Sequence, residues 1–62
     1  MATGYEYFTI ERARGGYQAK FYGANDELVW LTEIYVHKAG AQNAIRLIKD
    51  EARGAPIKDL VY

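Results

Sequence analysis

The apolar positions fall into three short strand-like runs followed by one helical repeat. From Tyr5 to Arg12 the chain is rich in aromatic and β-branched residues and predicts a first strand. Period-two alternation puts Phe8 and Ile10 on one face, and Tyr5, Tyr7, Thr9 and Glu11 on the other. Arg14, Gly15 and Gly16 form a turn signal, because glycine takes positive φ without steric cost. A second strand is expected from Tyr17 to Tyr22, with Tyr17, Ala19 and Phe21 facing a core and Gln18, Lys20 and Tyr22 facing outward. Gly23, Ala24, Asn25 and Asp26 then supply turn chemistry, since Asn and Asp bond their own backbone and tolerate left-handed geometry.

The third strand, Glu27 to Tyr35, breaks the alternation. Leu28 and Trp30 fall on one face and Val29 and Leu31 on the other, a pattern suited to a strand covered on both sides. One helix can cover only one face of a three-stranded meander, so the second face needs solvent or a partner.

A helix is expected over Lys38 to Arg53. Ala41, Ala44, Ile45, Ile48 and Ala52 follow the helical apolar repeat, with Leu47 on the flank and Gln42, Arg46, Lys49, Asp50 and Arg53 toward water. Its start is weakly signed: His37 is a poor N-cap, and Gly40 costs up to ~1 kcal/mol relative to Ala inside a helix. Its stop is better marked, with Arg53 in the last turn, Gly54 at C′ and Pro56 beyond. The tail, Ile57 to Tyr62, is apolar enough to predict a short edge strand on its own sheet or a partner's. Residues 1–4 read as a frayed end. The fold class is therefore α+β: a three-stranded antiparallel meander on one C-terminal helix, with a short C-terminal strand.

A chain of 62 residues makes one domain, residues 1–62, and a marginal one. With no cysteine and a lone histidine, disulfides and thiolate metal sites are excluded and a structural zinc site has too few ligands. No cofactor is expected. Self-association is the remaining way to stabilise so small an apolar chain, and a homodimer is the expected state. Eight basic and eight acidic residues cancel, so no long-range field draws in nucleic acid or an anionic membrane. The longest apolar run, Leu28 to Leu31, is too short to span a bilayer, and the first residues lack the features of a signal peptide. A cytoplasmic location follows as the default expectation.

Several residues together carry a family likeness: Phe8 and Ile10; Gly16, Tyr17, Ala19, Phe21, Ala24 and Asn25; Thr32, Glu33, Tyr35 and Lys38; and a helix with Ile45 and Ile48. The pattern resembles the YegP-like family of small uncharacterised proteins over roughly residues 5–53, with residues 54–62 as a C-terminal extension. The resemblance implies a β-β-β-α unit that occurs singly or as a tandem pair, the single form dimerising to imitate the pair. It implies no particular chemistry. The chain departs from the family pattern at the turn, where Asn25 is followed by Asp26 rather than glycine, and at Thr32 in place of serine. Gln18 and Lys20 stand where outward arginines are common, which weakens an anion-binding reading. Asp26 also disfavours a strict type I′ turn and predicts a longer or bulged one.

Three sets of candidate residues remain. Asn25, Thr32, Glu33, Tyr35 and Lys38 form a polar set that reads as a ligand site or, more simply, as turn and strand–helix junction chemistry. His37 with Glu33 offers a general base, but the chain has neither serine nor cysteine as nucleophile, so no catalytic residue is expected and the protein reads as a non-enzyme. Tyr5, Tyr7, Tyr22 and Trp30, with Lys20 and Arg12 nearby, could stack single-stranded bases. The same rings suit a protein interface, where Tyr and Trp are enriched. Tyr5, Tyr7, Tyr22, Leu28, Trp30, Ile57 and Leu60 are accordingly the candidate interface residues, with nucleic-acid binding the second reading.

Overall fold

The computed structural model describes residues 3–61. Strands β1 (Tyr7–Ala13), β2 (Gly16–Tyr22) and β3 (Leu28–Leu31) form one antiparallel sheet in the order β1-β2-β3, followed by helix α1 (Lys38–Asp50). The α+β meander-plus-helix architecture is thus the observed one.

The β1–β2 hairpin turns in two residues, Arg14 and Gly15, and Gly15 carries the positive φ of +80°. That turn sets the register, pairing Tyr7 with Tyr22, Phe8 with Phe21, Thr9 with Lys20 and Ile10 with Ala19. One face therefore holds Phe8, Ile10, Ala19 and Phe21 and the other holds Tyr7, Thr9, Glu11, Gln18, Lys20 and Tyr22. Tyr5 and Glu6 lie outside the ladder: Gly4, at φ +85°, donates its N–H to the Ala24 carbonyl at 3.0 Å and ties the chain's entry to the β2–β3 turn.

The β2–β3 connection is the longer turn that Asp26 implied. Asp26 N–H bonds the Gly23 carbonyl at 2.9 Å, and Gly23 N–H bonds the Glu27 carbonyl at 2.8 Å. Asp26 itself sits at φ 64°, the left-handed position that glycine normally fills in such a turn. The ladder then slips between Phe21 and Tyr22, so that Phe21 faces Trp30 while Tyr22 faces Leu28. This slip corrects the simple alternation: Leu28 joins the tyrosine face, and Trp30 stays on the helix-covered face.

The expected Glu27–Tyr35 strand is interrupted rather than continuous. β3 ends at Leu31, and Tyr35 rejoins β2 as an isolated bridge, exchanging hydrogen bonds of 2.7 Å in both directions with Tyr17. Thr32 makes the break. It donates its N–H to the Ala19 carbonyl at 3.0 Å, while its hydroxyl accepts the Ala19 N–H at 3.1 Å and donates to the Glu33 carbonyl at 2.7 Å. Gln18 Nε2 satisfies the Thr32 carbonyl at 2.7 Å. Side chains have replaced two main-chain partners, and residues 33 and 34 loop out opposite Gln18.

Helix α1 packs across β2 and β1 and does not reach β3. Ala41 and Ala19, both fully buried, allow the close approach of helix and sheet. Beside them Phe8 tilts against Phe21 at 4.8 Å and meets Trp30 edge-on at 6.1 Å. Gly40 lies inside the helix for a steric reason: a Cβ there would come within 2.9 Å of the Tyr35 ring. Among the described residues no large side chain is fully buried.

The helix start matches its weak sequence signal, with His37 as an extended N-cap that makes no side-chain cap bond. Its end differs from the sequence expectation. The α-helix stops at Asp50, Glu51 caps it, and a 3₁₀ turn over Ala52–Gly54 replaces the expected left-handed glycine cap. The tightened turn satisfies terminal carbonyls through Gly54 N–H to Glu51 O (3.4 Å) and Ala55 N–H to Ala52 O (3.0 Å), and Pro56 holds Ala55 extended.

The short C-terminal strand does not form over the described part of the tail. Residues 55–61 pair with no strand, and the tail's side-chain bond is local, Val61 N–H to Asp59 Oδ1 at 3.1 Å. A strand needs an edge to pair with, and within one protomer this segment meets none. The part of that expectation resting on Tyr62 lies outside the described residues.

Candidate functional site

The polar set Asn25, Thr32, Glu33, Tyr35 and Lys38 is not gathered into one place. Asn25 sits in the β2–β3 turn, where its Oδ1 accepts the Glu27 N–H at 3.2 Å. Tyr35 pairs with Tyr17 at the opposite end of β2, about 17 Å away at strand rise. Thr32 shapes the strand break, and Tyr35 is clamped between Gly16 and Gly40, whose missing Cβ atoms leave room for its carbonyl and ring. Glu33 and Lys38 are exposed, the latter opening α1. His37 is likewise exposed, and no hydrogen bond joins it to Glu33. Each of these residues has a structural task or faces water.

The open face of the sheet holds a connected network of polar side chains. Glu11 is its hub. Lys20 Nζ donates to Glu11 Oε1 at 3.0 Å, while the Thr9 and Tyr22 hydroxyls donate to Oε2 at 2.9 and 3.2 Å. These bonds, the one from Lys20 first and then that from Thr9, hold the Glu11 carboxyl below its usual range. The same bond from the other side raises the Lys20 ammonium. Both side chains are half-buried and still reached by water, so the pair orders the surface more than it stabilises the fold.

The tyrosines occupy the same face. Tyr7 and Tyr22 stack at 5.2 Å between centroids, and Tyr5 meets Tyr7 edge-on at 6.0 Å. Trp30, placed with these rings as a candidate from the sequence, lies on the other face against Phe8. Arg12 is elsewhere as well, over the Tyr17 ring at 5.2 Å. A base-stacking platform needs free ring faces, whereas Tyr7 and Tyr22 cover one face of each other. Leu28, Val29 and Leu31 continue the exposed apolar surface along β3.

Asp26 was not singled out as a binding residue from sequence, yet it holds one ring of this face in place. The Tyr7 hydroxyl donates to Asp26 Oδ1 at 2.8 Å. That bond, with a lesser contribution from desolvation, pushes the phenol up from 10.0 to about 12. The folded state thus holds the Tyr7 proton more tightly than the unfolded chain does. This contribution to stability is complete below pH 10 and is lost as the pH rises toward 12. Absorbance titration of the phenolates should show one tyrosine ionising near pH 12, and Asp26→Ala should return it toward 10. Uniform titration near 10 in the parent protein would mean the bond does not persist.

No concave pocket and no cluster of three or more metal-ligating side chains occurs among the described residues. No helix among them is long and apolar enough to cross a membrane. Residues 13–59 match the family described as a domain of unknown function (DUF1508). The chain is also 40% identical, over 52 residues, to the UPF0339 protein Msl4696 of Mesorhizobium japonicum, covering 84% of this chain and 90% of that protein. No solved structure matches. The chain belongs to the DUF1508 family.

Proposed function

We propose that this family member is a non-enzymatic homodimeric interaction module that pairs with a second copy of itself through β3 and the apolar surface around it. The observation carrying the proposal is the state of β3. It is an edge strand that the helix does not reach, and Leu28, Val29 and Leu31 are all exposed on it. An apolar edge of this kind is a template for further pairing unless something covers it.

The surface area points the same way. The chain exposes 5207 Å², where a compact monomer of its mass exposes about 4,100 Å². The surplus, about 1,100 Å², is of the size that one partner hides in an ordinary protein interface, about 800 Å². Its radius of gyration, 13.3 Å, likewise exceeds the value of about 10.5 Å for a compact domain of this length. Ile57, Leu60 and Val61, all strongly exposed on the tail, are part of that surplus and are apolar surface that a partner would cover. The resemblance to the YegP-like pattern supports the same assembly, with this chain as a single-unit member.

Non-enzymatic action is the simplest reading of a chain with no serine or cysteine and, among its described residues, no convergent polar site. The mutual stacking of Tyr7 and Tyr22 favours a protein-facing role for the open face over base stacking. Sedimentation equilibrium at micromolar concentration should return twice the 7.1 kDa chain mass. A single folded species at the chain mass would remove the proposal.

A further inference from the structure

We infer that folding and self-association of this chain are one equilibrium, so that the separated protomer is unfolded rather than a folded monomer awaiting its partner. The inference rests on the homodimer reading and concerns what governs that same surface.

Its basis is the distribution of burial. The fully buried apolar residues among those described are two alanines, Ala19 and Ala41, and alanine contributes the least apolar area of any side chain that packs. Phe8 packs against both Phe21 and Trp30, but each of the three remains partly open to water. The larger aliphatic groups Leu28, Val29, Leu31, Ile34 and Val36 are all exposed, and they lie in one continuous segment, residues 28–36. That segment is tied to the sheet by a four-residue strand with a slipped register, by the Thr32 bonds, and by Tyr35 through its bridge to Tyr17 and its packing between Gly16 and Gly40. Its restraints therefore sit on Thr32 and Tyr35 and not on its aliphatic groups. The helix meets the Tyr35 ring at Gly40 and leaves β3 uncovered.

Many domains of about 55–65 residues fold alone, and those without a full core commonly draw on disulfides, a metal or oligomerisation. This chain has no cysteine, and its described residues offer no metal cluster. The partner copy must then bring the missing burial, and ordering of residues 28–36 is gained only when it arrives. The concentration of the chain would set its folded fraction. Below the association midpoint the chain would become a protease substrate, a control on abundance that acts through dilution alone.

Thermal melts followed by circular dichroism, over a hundredfold range of concentration, test this alongside sedimentation of the same samples. The melting midpoint should fall by about 5 °C for each tenfold dilution, and dissociation should coincide with loss of the dichroism signal. Val29→Lys is the companion variant. Val29 is 61% exposed in the protomer, so lysine there would leave a self-sufficient monomer folded. The inference expects the variant to lose its secondary structure instead.

A folded monomer of Val29→Lys, or a dimer whose midpoint ignores concentration, would overturn the inference and leave the homodimer standing. Parent protein that stays folded at the monomer mass at all concentrations would overturn both.

Discussion

Gly16→Ala should lower stability by about 3 kcal/mol, the upper end of the cost of forcing atoms into a packed site. A Cβ on Gly16 runs into the Tyr35 carbonyl group, with the Ile34 side chain close behind. That carbonyl accepts the Tyr17 N–H at 2.7 Å, so it cannot withdraw without breaking the bridge that returns the chain to the sheet. Tyr35 has no room to move the other way, because its ring lies against Gly40. Chemical denaturation at matched protein concentration measures the loss. Matching matters, because the proposed self-association would make apparent stability depend on concentration. A change smaller than about 0.5 kcal/mol, the size usual for unconstrained surface positions, would show that the Gly16–Tyr35–Gly40 contact is loose.

Thr32→Val should cost about 1–3 kcal/mol, the desolvation penalty of a buried polar group left without its partner. Valine keeps the shape of threonine and removes the hydroxyl. Ala19 N–H, buried at the centre of β2, then loses its acceptor, and the Glu33 carbonyl loses its donor. Thr32→Ser keeps the hydroxyl and should be closer to the parent. Equal stability of the valine and serine variants would mean that packing of the methyl, not the hydroxyl, matters at this position.

These two positions mark what the sequence could and could not reveal. Alternation in Tyr5–Arg12 and Tyr17–Tyr22 identified the two faces of the hairpin correctly, because side chains of adjacent residues must point to opposite faces. The two-residue turn at Arg14 and Gly15 fixes the pairing, which would have led directly to Glu11 and Lys20 as near neighbours on the open face. The third strand was harder to read. Its apolar run marked a strand, but the slip at Tyr22 and the break at Thr32 depend on local hydrogen bonding, with side chains replacing main-chain partners at Thr32. Composition carries no trace of that.

The glycines tell a similar story. Gly15 announced a turn through its own backbone freedom, whereas Gly16 and Gly40 are glycines because Tyr35 passes close to both. Only the folded chain shows that contact. The tail's apolar content predicts a strand, whereas residues 55–61 pair with no strand, because apolar content alone does not supply an edge to pair with. Asn25 and Tyr35 entered one candidate site because both are polar and both fit a family pattern. The fold puts them at opposite ends of β2, where each serves the local backbone.

The described residues present two distinct surfaces to their surroundings. On one side the Glu11 network and the stacked tyrosines form an ordered, charge-balanced face. Along the sheet edge, β3 presents the apolar groups that the proposed partner covers.

Isotope-filtered NMR on a mixture of labelled and unlabelled chains tests that assignment most directly. The methyl groups of Leu28, Val29 and Leu31 should show contacts to protons of the other chain. Contacts from these methyls exclusively within their own chain, in a sample that is folded, would contradict it.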